Sequence, residues 1–170
     1  MKLVSVSTLV ARRVVISILA AFVLAIAFPH SGFAQSNAMV GTWKPNLAKS
    51  TSTAGPAPRS ATLNFQVAGA NMTDTTEGVD ALGVATRGVF MHIYDGLPHA
   101  TTGTGAANSD ASAYTRVNAN TVIFTRMKAG KLVAVGTQAL SQDGKTLTIT
   151  TRGISAAGQP GNSVAVYEKQ

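Results

Sequence analysis

His92, Tyr94, Asp95 and His99 form the densest group of titratable side chains in this sequence. The two imidazoles stand seven residues apart across an Asp95-Gly96 turn. A metal centre there would need a third ligand, such as Asp95, and two converging rings. The spacing matches no recognised metal motif, so we expect neither a metal site nor a cofactor. Asp74, Glu77 and Asp80 fall near an expected turn, where carboxylates are ordinarily solvated rather than held for proton transfer. Ser and Thr are abundant, yet none lies in a Gly-x-Ser-x-Gly elbow. The glycines stand singly in turns, not between a strand and a helix, which excludes a phosphate-cradling loop. No catalytic constellation emerges, and we expect no enzyme.

Recognition is the other chemistry these residues could support. Along Gly88 to Tyr94, Val89, Met91 and Ile93 share one face and Phe90, His92 and Tyr94 the other. Both faces are apolar enough for burial. We place Phe90, His92 and Tyr94 inside, because aromatic rings line a cavity while presenting a polar tip. Arg116 alternates with Tyr114. Facing inward, it would need a carboxylate or a ligand anion. Its aliphatic stem, like that of Arg126, also lets the charge reach the surface, and that is the placement we favour.

The elements that must position these residues read as short β-strands. After residue 40 no window holds a sustained helical period. Thr62 to Val67 alternates cleanly, with Leu63, Phe65 and Val67 on one face, and Thr146 to Thr150 buries Leu147 and Ile149. Thr121 to Met127, Leu132 to Leu140 and Ser163 to Glu168 carry the β-branched and aromatic enrichment of strands. Met72 to Glu77, Val84 to Tyr94 and Ala113 to Val117 complete the set. Turns are marked by Asp95-Gly96, Asn118-Ala119-Asn120, Ala129-Gly130, Asp143-Gly144 and Ala157-Gly158. Gly130, Gly144 and Gly158 recur at 14-residue intervals, the spacing of a meander. Lys49 to Ser60 reads as a surface loop, and Ala100 to Ala111 as a loose loop or poor edge strand. Eight to ten short antiparallel strands close into an up-and-down barrel or fold as a sandwich; neighbouring hairpins favour the all-β barrel.

The first 34 residues follow a different pattern. Lys2, Arg12 and Arg13 precede an apolar run from Val14 to Phe28, then Pro29 and a Gly32-Phe33-Ala34 cleavage pattern. That order is a secretory signal. The run is shorter than the roughly 20 apolar residues of a membrane span. We expect cleavage after Ala34, no stable membrane insertion afterwards, and export to the periplasm or medium. Residues 35–170 then form one domain of 136 residues, large enough for a core without staples. The chain has no Cys, which excludes a disulfide framework and any thiolate metal site. The net charge of +7 falls to +4 once the three basic residues of the signal are removed. The remaining basic residues are scattered singly, so no nucleic-acid face is expected.

Val40-Gly41-Thr42-Trp43-Lys44-Pro45-Asn46 resembles the Gly-x-Trp opening of lipocalin-like proteins, where the first barrel strand begins. Across residues 40–169 the chain resembles small exported bacterial lipocalin-like (calycin-type) proteins of undefined role. The Gly55-Pro56-Ala57-Pro58 loop and the closing hairpins around Asp143-Gly144 and Val164 to Lys169 share in the likeness. The segment Thr-Asp-Tyr of typical lipocalins and their long C-terminal helix are absent from the sequence. The resemblance implies an up-and-down barrel whose end is plugged by Trp43, with a cavity lining as that residue's secondary role. It leaves two functional readings. One is binding of a small apolar ligand by Phe90, His92, Tyr94, Trp43 and Arg116. The other is a filled barrel acting as a structural or interaction module.

Overall fold

The computed structural model describes residues 38–53, 55–104, 108–154 and 158–170. The expected signal segment lies outside them. Alternating apolar residues build the strands β1 (Gly41–Pro45), β2 (Thr51–Ser52), β3 (Ser60–Ala68), β4 (Asn71–Val79), β5 (Ala85–His92) and β6 (His99–Ala100). The second half of the chain adds β7 (Ala111–Asn118), β8 (Thr121–Lys128), β9 (Lys131–Leu140), β10 (Thr146–Ile154) and β11 (Pro160–Lys169). All pair antiparallel in one sheet, in the order β5-β4-β3-β1-β11-β10-β9-β8-β7-β6, with β2 added beside β11. Spatial neighbours are thus chain neighbours except where β1 joins β11 and brings the two ends of the meander together. The remaining seam, between β5 and the segment after β6, is held by reciprocal backbone bonds between Val89 and Thr102. The fold is a nearly closed up-and-down barrel.

Turn chemistry fixes the register. Ala129 and Gly130 form the two-residue link between β8 and β9, both with positive φ (48° and 74°), as a tight hairpin of the right twist requires. Curvature needs close approach as well. A Cβ on Gly136 would meet the carbonyl oxygen of Thr150 and the ring of Phe124, so only glycine lets β9 bend there.

The expected loop over Lys49 to Ser60 is more ordered than its composition suggests. A single 3-10 turn (Leu47–Lys49), capped by the Asn46 side chain, leads into β2. Ser50 Oγ then receives the backbone N–H of Val166, so polar residues at 46–52 strap the outside of β11. Within Ala100 to Ala111, Ala100 pairs with Ala111, and Thr102 makes the seam bridge.

Directly paired residues share a face of the sheet, so the pairings identify the interior. Successive turns alternate between the two ends of the barrel. The lower end carries the turns at 69–70, 119–120 and 141–145; the upper end carries those at 80–84, 129–130 and the link between β10 and β11. Inward positions toward the lower end are large: Trp43, Leu63, Phe65, Met72, Phe90, Tyr114, Val122, Phe124, Leu140 and Leu147 are all buried in one cluster. Inward positions toward the upper end are small, apart from Arg126 opposite Ala134. Ala61 pairs with Gly78, Ala134 with Gly153, and Gly153 with Gly161, while Thr76 and Gly136 mark the boundary, directly opposite Leu63 and Phe124 of the cluster. Most of them are only half-buried.

Candidate functional site

The site begins at strand register. Phe65 on β3 stands opposite Asp74 on β4, and Asp74 opposite Phe90 on β5; one step lower, Met72 stands opposite His92. Phe90 and His92 therefore project into the barrel, 3% and 0% exposed, while Met91 between them faces out at 41%. This is the face placed inside from the sequence. Tyr94 lies beyond the end of β5, and its φ of 63° is rare for a bulky residue. The left-handed turn brings its ring edge-on to His92, with centroids 5.9 Å apart.

Asp74 corrects the sequence reading. It was expected in a solvated turn with Glu77 and Asp80, but it is 4% exposed and faces the core. His92 Nε2 donates to its Oδ2 at 2.7 Å. A buried carboxylate must be paired to be tolerated, and the imidazole supplies the pairing. The His92 ring stacks on Tyr114 at 3.8 Å and 18°, and meets the edge of Phe65 at 5.6 Å. Glu77 and Asp80 do lie at the surface. Glu77 pairs with Arg87, and Asp80 accepts the backbone N–H groups of Leu82 and Val84.

The two histidines of the sequence cluster have separate partners. His99, the first residue of β6, pairs with Asp95 of the preceding loop at 2.9 Å, and the Leu97 N–H, then His99, hold that carboxyl below its ordinary value. Among the described residues no three metal-ligating side chains come together.

Both inward arginines overturn the surface placement favoured from the sequence. Arg116 pairs with Val122 and Arg126 with Ser112, so each shares the face of a fully buried neighbour. Each also adjoins a shift in strand register, a device that re-aims side chains. The Arg116 guanidinium lies 4.3 Å from the centre of the Tyr94 ring. That of Arg126 lies over Phe90 and Phe124, at 4.6 and 5.1 Å.

All three tyrosines of the chain turn toward this interior. Burial raises the hydroxyl pKa of Tyr94, opposed by Arg116. Burial, then the negative charge of Asp74, raises those of Tyr114 and Tyr167, opposed by Arg126. Among the described residues, six buried side-chain atoms make no well-formed hydrogen bond: His92 Nδ1, Tyr94 Oη, Ser112 Oγ, Tyr114 Oη, Arg126 Nε and Gln138 Oε1. Tyr114 and Ser112 are close enough to influence one another, but they lack bonding geometry. Leaving such a group unsatisfied costs about 1–3 kcal/mol, and native interiors hold few.

Trp43 seals the lower end. It is fully buried, and its indole N–H donates to the Met39 carbonyl at 2.8 Å. Lys169 Nζ lies 5.3 Å from the centre of the ring. The pairing and burial of Asp74, Ser112, Gln138 and Arg126 were not foreseen from sequence.

No family model matches the chain, and no curated protein matches it. Among solved structures it is similar to a redesigned β-barrel, mFAP1, determined with DFHBI bound. The identity is 12%, over 80% of this chain and 98% of that one, with a TM-score of 0.41. The barrel described above rests on the strand pairings of this chain itself.

Proposed function

We propose that this protein is an exported lipocalin-like barrel that holds a small, largely apolar molecule in its upper interior. The observation that carries the reading is the change of lining along the barrel. Below, aromatic rings fill the space; above, Gly, Ala, Ser and Thr line it and stay half-exposed. A site of this kind is mostly apolar with a few polar groups to orient its occupant. Phe90, Phe124 and Tyr114 form the apolar floor, and the unpartnered Ser112, Tyr114 and Arg126 supply the polar groups. Phe90 and Tyr94 flank the His92–Asp74 pair, which holds the floor rigid. Trp43 closes the far end, and Arg116 packs on Tyr94 at the lower rim. We assign no reaction to the pair.

The filled interior around Trp43 favours the second reading, a module that acts only through its surface. Native mass spectrometry of the exported protein separates the two. Binding predicts a co-purified small molecule that denaturation releases; a chain mass that never carries an adduct supports the filled module. N-terminal sequencing of the same material should begin at Gln35, and a start at Met1 contradicts export.

A further inference from the structure

Arg126 is an inward-facing cation that the chain itself leaves without a counter-ion. We infer that its counter-ion is the ligand, and that the molecule held in the upper interior is a small apolar carboxylate. The inference rests on the binding reading above and names the class of ligand.

Every Asp and Glu side chain of the protein is engaged elsewhere. There are seven Asp and Glu residues, and all lie among the described residues. Asp74 is bonded to His92 and Asp95 to His99. Glu77 pairs with Arg87, and Glu168 with Lys49 and Asn46. Asp80, Asp110 and Asp143 are engaged by backbone N–H groups of Leu82, Ala129 and Lys145 respectively. None forms an ion pair with Arg126. A guanidinium stays protonated in a protein, so neutralisation cannot relieve it as it could a buried lysine. Asp74 acts on the same tyrosines as Arg126, yet that one carboxylate is committed to an imidazole.

Geometry narrows the class of anion. The guanidinium lies over the rings of Phe90 and Phe124, and its Nε is buried without a partner. A planar fork of N–H donors matches the two oxygens of a carboxylate. Ser112, directly across from Arg126, offers a hydroxyl with no well-formed bond of its own. The inward positions beyond are Thr151 and Ala134, which suit an apolar body and hold no further cation. A multiply charged anion would lack the additional positive groups it needs there.

Two probes of one shape test this: 2-naphthoate and the neutral 2-naphthylmethanol, titrated calorimetrically into residues 35–170. The expected result is saturable binding of both, with the carboxylate tighter by about tenfold or more, the scale of a charge-assisted bidentate bond. Arg126→Gln should erase that preference while leaving the alcohol's affinity in place. Arg126→Lys should keep part of it, and Arg152→Gln, an outward residue, all of it. A thermal melt of each variant checks that it is folded. Equal affinity for the two probes, or a preference that survives Arg126→Gln, overturns the carboxylate assignment and leaves the binding site standing. Failure of both probes to bind the wild type overturns the binding reading and this one together.

Discussion

The two ends of the barrel use the same strands for opposite purposes. On β9, Leu140 and Gln138 are buried near the lower end, whereas Ala134 and Gly136, two to six residues away, are half-buried toward the upper end. On β4, Met72 and Asp74 are buried where Thr76 and Gly78 are not. The same antiparallel strands run through both halves, so side-chain volume is what distinguishes the core part of each strand from the rest. Closely packed aromatic groups specify the fold below. Above, the half-buried small lining around the unsatisfied Ser112 and Arg126 gives up that stabilisation.

The largest effect should come from emptying the lower half. Trp43→Ala is expected to destabilise the chain by about 3–5 kcal/mol in urea unfolding, as for a large aromatic side chain in a core. A change below about 1 kcal/mol would mean that Trp43 does not close the barrel. Next is Asp74→Ala, which strips the fully buried His92 of its partner. We expect a loss of about 3 kcal/mol, the scale for breaking a buried pair by removing one member. If the variant melts like the wild type, the pair plays no part in the floor.

Tyrosine titration separates the halves in another way, since all three phenols lie below. Their folded-state pKa values are raised above the ordinary 10.0. Above that value the unfolded chain releases phenolic protons that the folded chain keeps, so stability is retained below pH 10 and falls as pH rises beyond it. Phenolate absorbance should therefore develop together with loss of the β-sheet circular dichroism signal. Phenolate appearing near pH 10 in a chain with intact dichroism would place the hydroxyls in solvent.

Much of the strand pattern could be read in the sequence, and the asymmetry between the two ends could not, for physical reasons. Strands β3, β8, β9 and β10 were legible because Leu63 and Phe65, or Leu147 and Ile149, alternate with polar residues. The choice of Phe90 and His92 as the inward face was correct, although alternation of apolar residues left it undecided. Asp74 was missed because Thr73-Asp74-Thr75-Thr76-Glu77 is uniformly polar; only the pairing of Asp74 with Phe65 and Phe90 reveals its burial. Arg126 was misplaced because a long stem serves either face, and the register shift beside it leaves no mark in composition. The strap at 46–52 depends on Asn46 and Ser50 bonding to remote parts of the chain, contacts separated by more than a hundred residues.

The smallest expected stability effect belongs to the upper half and bears most directly on whether it is a binding site. Thr151 faces inward opposite Gly136 and Ser163. Added bulk in a packed core costs about 1–3 kcal/mol, whereas an exposed position tolerates substitution within about 0.5 kcal/mol. The decisive measurement is a calorimetric titration of 2-naphthylmethanol into wild type and Thr151→Leu, with the unfolding midpoint of each. The account predicts one-to-one binding by the wild type, loss of that binding in the variant, and an unfolding free energy that stays within the exposed range. A variant that loses core-like stability, or one that binds the probe as the wild type does, would contradict an open upper interior as the site.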